Sequence, residues 1–374
     1  MKIFRVCPIY HPFLRFGGSV VADYTIDETL IADGIDVDVL TCRVDDNVKQ
    51  QPHIQYFKNF GSPIYGISPS LLIKLFYLCF RPKFVEQVIW FGGIWNALTI
   101  IGGVICVLSK QKFVISVHGM LAPSLIEMKS SRIKTLAIKF ALKHILRRAH
   151  ALHCTVTSEA EDIKMLCGGD INTRVIQLPV KLNNFLKKPK SSSEQQAVVR
   201  LGFIGRITRK KNLDILLQAF IQALAKNEKC MQLHIYGPDL ENLWQNDLVH
   251  RIPETCSSIV YHGPKFDSEL AEAYTSTDIF VLCSANENFA ISVIEAAASG
   301  CALILDKRVG VSEFFDGNSA VLLENTSVDS LAAAILSLVN DDEFREDISN
   351  NASNVARKFD SSCYGYKNFK ALFS

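Results

Sequence analysis

The sequence predicts an α/β protein built from two Rossmann-like, doubly wound parallel-sheet domains that face a central cleft. Short apolar runs typical of buried strands alternate with helical patterns along most of the chain. At 374 residues the chain is long enough for two domains with full cores. The strand–loop–helix order begins again after the polar, Ser-rich stretch 186–196. We therefore predict domains over 1–185 and 197–355, a linker over 186–196, and a C-terminal helix over 356–374 that packs back on the first domain.

Composition and charge narrow the class of protein. With 48% hydrophobic and 21% charged residues the chain is a folded protein. Residues 1–190 hold 24 Lys/Arg against 14 Asp/Glu, whereas residues 191–374 hold 16 against 24. This asymmetry predicts that the first half meets an anionic surface. We expect that surface to be a membrane and expect no nucleic-acid partner.

Cysteine usage and the N-terminus indicate the compartment. The 11 cysteines include no CxxC pair, and several lie within apolar runs. This pattern favours small buried side chains in a reducing compartment over a disulfide or zinc framework. The N-terminal stretch has no long apolar region of the kind that a secretory signal contains. We therefore expect a cytoplasmic protein.

The first half opens with the elements of a doubly wound sheet. A strand over residues 2–7 (KIFRVC) leads through a loop to a helix from Val20 to Asp33, and the alternating run IDVDVLTC follows as a strand. The loop contains Gly17 and Gly18, whose missing side chains let a backbone approach a ligand closely. Later elements of this half are an apolar helix (SLLIKLFYLCF), the strand ALHCTVTS, a helix from Glu159 and a strand near 175–178.

An uncharged segment from Gln87 to Ser109 could alternatively form a membrane-spanning helix. Its apolar stretch reaches the roughly 20 residues that a transmembrane helix requires, so one hypothesis is an integral membrane protein that spans at 88–108. Two Gly-Gly pairs and Asn96 argue against it. We favour a buried strand over 88–91, a turn and an apolar helix.

Two further features of the first half are candidates for function. The run KFVISVHG places His118 and Gly119 at the carboxyl end of a strand, the edge where parallel sheets bind ligands. Residues 129–150 hold basic side chains, no acid, and apolar residues at helical spacing. This pattern predicts a basic amphipathic helix that can lie on an anionic membrane, although a solvated face of an ordinary helix fits the segment alone equally well.

The second half repeats the strand–loop–helix order. The strand AVVRLGFIG is followed by a loop with Arg206, Arg209, Lys210 and Lys211, and then by the helix NLDILLQAFIQALAKN. Arg206 and Lys211 are cations between the strand and the helix start, where the free backbone N–H groups already attract a phosphate. Later elements are the strands MQLHIYG, SIVYHG, IFVLC, ALILD and 320–323, with helices near 241–250, 267–276 and over 328–357.

Two carboxylates stand eight residues apart in the stretch 283–306. A strand ends near Cys283, Glu287 lies in the loop, and Glu295 lies about one turn into a helix that ends at Gly300. Both carboxylates can face one cleft at the carboxyl edge of the sheet. The alternative is a solvated helix start whose acids the helix dipole favours.

Two stretches of the second half resemble the retaining glycosyltransferases of family 4, which have the GT-B fold and form glycosyl transferases group 1. The first is LGFIGRITRKKNLDILLQAF, similar to the family's FxGRxxxxKG segment. The second is ENFAISVIEAAASGCALIL, similar to E-G-F-G-x-x-x-x-E-A-M-A-x-G-x-P-V-I. SVHGMLAP, RRAHALHCTVTSEAED and the tail VGVSEFFDGNSAVLLENTSVDSLAAAI also follow the family. The match runs over nearly the whole chain in the right order.

The resemblance implies roles for matching positions. Arg206 and Lys211 would clamp the donor diphosphate in place of a metal ion, so that neither metal nor other cofactor is required. Glu295 would accept hydrogen bonds from the ribose, and Glu287 would orient the transferred sugar. His118 would close over that sugar. The remaining donor-binding positions are Gly17, Gly18, Gly237, Gly263 and the backbone of Asn288, Phe289, Ala290 and Ile291.

The sequence departs from the family pattern in its sugar-binding loop. The family's Gly-Phe-Gly is Asn288-Phe289-Ala290 here. If the last position needs a positive φ, Ala290 strains the loop by about 1–2 kcal/mol. If it needs only a small side chain, Ala290 costs little. Asn212 follows Lys211 where the family has Gly, and Asn tolerates left-handed geometry.

The resemblance implies transfer of a hexose-type sugar, with retention, from a nucleotide sugar to a growing cell-surface polysaccharide or glycolipid, such as lipopolysaccharide. The enzyme would be peripheral on the inner face of the cytoplasmic membrane. One alternative is an enzyme of the same fold, a sugar-nucleotide epimerase or a phosphorylase. Another is a catalytically impaired protein that binds a glycan or partners another transferase. The motifs leave the nucleobase, sugar, acceptor, linkage and oligomeric state open.

Overall fold

The computed structural model describes residues 1–13, 16–45, 48–49, 51–82, 85–122, 142–168, 171–185 and 198–374. The chain divides into two compact units. Unit 1 comprises Met1–Pro179 and Ser361–Ser374, and unit 2 comprises Val180–Asp360. The boundary therefore precedes the expected end of the first domain at 185. The predicted linker over 186–196 lies outside the described residues.

Unit 1 contains a seven-stranded parallel sheet of order β3-β2-β1-β4-β5-β6-β7. Its strands are β1 (Lys2–Cys7), β2 (Asp36–Cys42), β3 (Ile54–Phe57), β4 (Gln87–Gly92), β5 (Phe113–Ser116), β6 (Ala151–Cys154) and β7 (Thr173–Val175). Its helices are α1 (Gly18–Ala32), α2 (Pro69–Phe80), α3 (Ala97–Leu108), α4 (Lys143–Arg148) and α5 (Thr157–Cys167). The strand order reverses between β1 and β4, which is where open α/β sheets bind ligands.

The edge strand β3 is an element that the sequence analysis missed. It spans four residues, and among the described strands it pairs with β2 alone, so that Ile54 lies opposite Val39. An outer strand is covered on one side alone, and its sequence IQYF therefore mixes polar and apolar residues without a clear apolar run.

The uncharged segment 88–108 forms a strand and a short helix. Strand β4 is buried along its whole length, and α3 has 12 residues, too few to cross a membrane alone. Asn96 caps α3 by accepting a hydrogen bond from the Thr99 N–H at 2.9 Å. The alternative of a span at 88–108 is therefore wrong. By length and composition alone, one helical stretch of the described residues, Pro63–Phe80, is apolar enough to cross a membrane, and 33% of it is buried.

Unit 2 contains a six-stranded parallel sheet of order β10-β9-β8-β11-β12-β13. Its strands are β8 (Val198–Ile204), β9 (Cys230–Tyr236), β10 (Ile259–Tyr261), β11 (Ile279–Leu282), β12 (Ala302–Asp306) and β13 (Val321–Leu323). Its helices are α6 (Leu213–Ala225), α7 (Leu243–Asn246), α8 (Asp267–Thr275), α9 (Ile291–Ala298), α10 (Val328–Asn340) and α11 (Asp342–Ala356). The strand order reverses between β8 and β11, and the loops that follow these strands meet there.

The C-terminal segment differs from the single helix predicted over 356–374. After α11 it forms short 3-10 turns and one four-residue helix, α12 (Tyr366–Phe369). A regular helix would turn part of its aromatic set away from the core. Instead the Trp90 ring contacts Phe369 and Phe373, and the Tyr366 N–H donates to Asp33 at 2.7 Å. Residues 361–374 thus belong to unit 1.

Candidate functional site

Two loops of unit 2 are joined at the point where the strand order reverses. One follows β8 (205–212) and the other follows β11 (283–290). The Ala285 N–H donates to the Lys210 carbonyl at 2.8 Å, and the Ser284 hydroxyl donates to the same oxygen at 3.0 Å. The Asn212 side chain donates to the Cys283 carbonyl at 2.9 Å. These bonds hold the basic loop and the acidic loop in one fixed arrangement.

The basic loop contacts the acidic loop through Glu287. Its carboxylate lies 2.5 Å from the Lys211 ammonium and 3.5 Å from that of Lys210. Burial disfavours the charge on Glu287, but Lys211 and Lys210 more than offset this effect and lower its pKa below the ordinary value. Burial lowers the pKa of Lys211 as well, in spite of the attraction of Glu287. Lys210 had no predicted role, although it precedes Lys211 in the same loop.

Arg206 lies on the same edge of the sheet, next to two of the predicted glycines. Its side chain is exposed, and no carboxylate of the described residues pairs with it. Gly237 has φ 144°, and a Cβ there would lie 1.9 Å from the Gly205 carbonyl oxygen. The Gly237 N–H donates to the Gly263 carbonyl at 2.9 Å. Gly237 is therefore required for close approach of the backbone beside Arg206.

The acidic loop enters α9 in a left-handed conformation. Ala290 precedes the helix with φ 50° and ψ 72°. Because a Cβ disfavours this region, Ala290 holds strain of about 1–2 kcal/mol, yet the loop keeps the geometry that a glycine would adopt. The first turn of α9, from Ile291, leaves backbone N–H groups without helical partners. The Phe289 ring is buried against Phe314 and Phe359, so only the backbone of Phe289 is available to a ligand.

Glu295 lies on α9 and interacts with a different partner. The Tyr274 hydroxyl donates to its carboxylate at 2.8 Å, and no lysine of the described residues pairs with it. Burial raises the pKa of Glu295 from 4.5 to about 7, and the Tyr274 hydrogen bond offsets only part of this effect. The two carboxylates therefore have separate environments. Tyr274 was missed because nothing near it in the sequence indicates its distant partner.

This raised pKa predicts how stability depends on pH. Between about pH 4.5 and pH 7 the unfolded chain loses the Glu295 proton while the folded chain keeps it. The free energy of unfolding of unit 2 should therefore fall across this window as pH rises, by up to about 3 kcal/mol. Glu295→Gln should remove this fall and leave the variant more stable than the wild type above pH 7. Urea unfolding at a series of pH values measures this dependence of the free energy of unfolding on pH. Glu272→Gln, which changes an exposed carboxylate on α8, is the control. An unchanged pH profile in Glu295→Gln would contradict the assignment.

The remaining predicted site residues lie in unit 1. Gly17 precedes α1 with φ 127°, and Gly18 is the first residue of that helix. His118 follows β5 with φ 54°, and its Nε2 lies 3.0 Å from Asp23. The next residue, Gly119, has φ 70° and donates its N–H to the buried carboxylate of Glu159. Two carboxylates thus hold the turn that presents His118.

A buried charged cluster beneath this turn was missed by the sequence analysis. Arg5 is fully buried and donates to Asp27 at 2.6 Å and to Asp23 at 3.4 Å, and its guanidinium lies 3.8 Å from the Trp90 ring centre. Tyr10 donates to Asp27 at 2.9 Å. The signal was present in the sequence, because Arg5 interrupts an apolar strand and the two acids stand one helical turn apart on α1.

The predicted basic helix over 129–150 is described only at its end. Residues 129–141 lie outside the described residues. The following part contains α4, where Ile145 and Leu146 are buried and Arg147 and Arg148 are exposed. The membrane role of this segment stays a prediction.

Comparison with known proteins agrees with this architecture. Residues 184–355 match the family model of Glycosyl transferases group 1, and this range lies entirely within unit 2. Among solved structures, HepE from Anabaena in complex with UDP has a TM-score of 0.77 at 19% identity and covers 100% of both chains. The same protein with UDP-glucose gives a TM-score of 0.75 over 100% of this chain and 99% of that one.

Curated relatives match part of the chain. A D-inositol 3-phosphate glycosyltransferase of Corynebacterium kroppenstedtii is 29% identical over 42% of this chain and 37% of its own. A poly(ribitol-phosphate) α-N-acetylglucosaminyltransferase of Staphylococcus aureus is 23% identical over 60% of this chain and 44% of its own. The chain spans between 36% and 54% of the length of the first curated relatives that it matches. The chain has two Rossmann-like units with the GT-B fold, and its residues 184–355 match the glycosyl transferases group 1.

Proposed function

We propose that the protein is a retaining glycosyltransferase that moves a hexose-type sugar from a nucleotide-sugar donor to a growing cell-surface polysaccharide or glycolipid. The observation that carries the proposal is the cation cluster of Arg206, Lys210 and Lys211 beside Glu287, at the reversal of strand order in unit 2. A sugar nucleotide is supported as donor because HepE, which has the same fold, binds UDP and UDP-glucose.

The charges of this cluster suit a diphosphate. Arg206, Lys210 and Lys211 carry three positive charges, and Glu287 neutralises one of them. The remaining two match the charge of a nucleoside diphosphate ester. The backbone N–H groups at the start of α9 add hydrogen-bond donors to the same edge. In this proposal the cations perform the neutralisation that a metal ion would otherwise supply, and no metal or other cofactor is required.

The proposed reaction is a substitution at the anomeric carbon of the donor sugar. The bond between that carbon and the phosphate oxygen breaks, and a bond to the acceptor hydroxyl oxygen forms on the same face. The departing phosphate oxygen takes the acceptor's proton. The cluster stabilises the charge that develops on the leaving nucleoside diphosphate. In this proposal Glu287, which two lysines hold in its ionised form, orients the sugar hydroxyls. Glu295 binds the ribose. His118 has the role that the resemblance implies, contact with the transferred sugar.

The proposed acceptor and location follow from charge. Unit 1 contains the basic part of the chain, and a lipid-linked or membrane-bound acceptor would bring the enzyme to an anionic surface. We place the protein in the cytoplasm, peripheral on the inner face of the membrane. The Corynebacterium kroppenstedtii and Staphylococcus aureus relatives are named for an inositol phosphate and a poly(ribitol phosphate), which supports an acceptor that carries phosphate.

A donor panel tests the proposal. UDP-, GDP- and ADP-sugars are added to the full chain, with a chelator present throughout, and thermal unfolding is followed. The correct donor at about 100 times its dissociation constant should stabilise the protein by about 2.7 kcal/mol. The stabilising donor should then lose its sugar to an acceptor extract with retained anomeric configuration, as followed by NMR.

Other outcomes separate the alternatives. Binding of a donor without any turnover would favour a catalytically impaired binding protein. Interconversion of the donor sugar without an acceptor would favour an epimerase. Loss of activity on addition of the chelator, with recovery on adding a divalent cation, would refute the metal-independent mechanism while leaving the transferase assignment in place.

A further inference from the structure

Helix α2 of unit 1 exposes a row of large apolar side chains. Ile73, Phe76, Tyr77 and Phe80 lie on one face, and between 51% and 70% of each is exposed. The Phe76 and Phe80 rings contact each other at 4.5 Å between centres. The opposite face of α2, from Leu71 to Cys79, is buried in the core. A row of this size on the surface marks an interaction site.

Helix α3 extends this surface. It packs beside α2, where the Leu75 side chain approaches Gly102 so closely that a Cβ there would lie 2.7 Å away. Three outward side chains of α3 are also exposed: Ile101, Val104 and Leu108. The exposed fraction of Leu108 is 71%. We call these outward positions of α2 and α3 the α2–α3 face. Gly102 therefore lets α3 approach α2, whereas the next residue, Gly103, faces Ile145 of α4.

The part of the sequence that contains the α2–α3 face is mostly basic. From residue 47 to residue 126 the chain contains seven Lys or Arg and a single carboxylate, Glu86, which pairs with Lys112 at 3.4 Å. Beside the last turn of α3 is a cavity of about 350 Å³ lined by Lys110, Lys112, Arg148 and His150, and no acidic side chain lines it. Among the described residues no carboxylate pairs with Lys110 or Arg148.

We propose that the α2–α3 face docks unit 1 on an anionic phospholipid bilayer, with the apolar side chains in the interface and the surrounding cations at the phosphates. An apolar, aromatic-rich face with Lys74 on α2 and with Lys110 and Arg148 beside the end of α3 fits lipid headgroups over acyl chains. Neither helix spans the bilayer, because α2 and α3 have 12 residues each and their inner faces belong to the core. The inference rests on the peripheral membrane location proposed above and names the surface that makes the contact, and it does not depend on sugar transfer.

Vesicle sedimentation of the full chain tests the inference. Binding is expected to vesicles that contain phosphatidylglycerol and to be much weaker with phosphatidylcholine alone or at high salt. The triple variant Ile73→Gln, Tyr77→Gln, Phe80→Gln should bind at least about tenfold more weakly. These positions are exposed, so the variant should unfold at the wild-type temperature. Leu240→Gln is the matched control, since Leu240 is an exposed apolar residue of unit 2.

Three results would overturn the inference. The first is absence of the wild type from the anionic vesicles at every salt concentration. The second is a triple variant that binds as tightly as the wild type, which would move membrane contact to another segment such as 129–150. The third is a wild-type dimer in ultracentrifugation that the triple variant loses, because a second copy would then cover the α2–α3 face. Donor binding by the triple variant, measured as above, keeps this test separate from the proposed function.

Discussion

Lys211→Met is expected to lower the turnover of the donor by about 100- to 1,000-fold, the loss typical for removal of one preorganised charged donor from a reacting anion. Lys211 is the buried member of the cation cluster, only 8% exposed, and its ammonium lies 2.5 Å from Glu287. Its loss removes a positive charge from the place proposed for the diphosphate. It also removes the closer of the two groups that hold Glu287 ionised. Single-turnover rates and donor affinity by calorimetry measure the two effects separately.

Neighbouring lysines supply the controls for this result. Lys210→Met should cost less, because Lys210 is more exposed and lies 3.5 Å from Glu287. Lys229→Met removes an exposed lysine of the same unit that lies before the amino end of β9 and pairs with Asp342, and it should leave turnover unchanged. Thermal unfolding shows whether Lys211→Met is folded. A folded Lys211→Met protein with normal turnover would refute the role of the cluster in the reaction.

Asp27→Ala is expected to lower the free energy of unfolding by about 3–5 kcal/mol, since it leaves the guanidinium of Arg5 buried with its main partner removed. Arg5 donates to Asp27 through two nitrogens, at 3.0 and 2.6 Å, and both side chains are shielded from water. The Tyr10 hydroxyl would lose its acceptor as well. Asp23 would remain at 3.4 Å and could compensate only in part. Urea unfolding followed by tryptophan fluorescence, to which Trp90 beside Arg5 contributes, measures the change.

A surface ion pair of unit 1 is the matched control. Asp38→Ala removes a carboxylate 2.9 Å from Lys2, and this exposed pair should contribute less than about 1 kcal/mol. The double variant Arg5→Met, Asp27→Leu should regain much of the lost stability, because it removes both buried charges together. Equal, small effects of Asp27→Ala and Asp38→Ala would show that Arg5 reaches water without its partner.

Local patterns in the sequence were enough to predict most strands. A buried parallel strand needs a continuous apolar run, and such a run is visible in the local sequence. The stretches IFVLC and ALILD became β11 and β12, the pair that lies beside the acidic loop. Strand β3 was not predicted because it lies at the edge of its sheet and has no continuous apolar run. The helix expected over 356–374 was wrong because its aromatic residues follow the surface of unit 1 and not a helical period.

Residue identity and position along the chain thus determined the α/β class, the two repeats of the strand–helix order, and the loops that follow β8 and β11. The tertiary structure decided which side chains meet. It placed Glu287 on two lysines and Glu295 on Tyr274, and it joined Arg5 to Asp27 below His118. The physical reason is separation along the chain. Backbone propensity acts between near neighbours, whereas these charges find each other only after the sheet has brought distant loops to one edge and burial has made an unpaired charge costly.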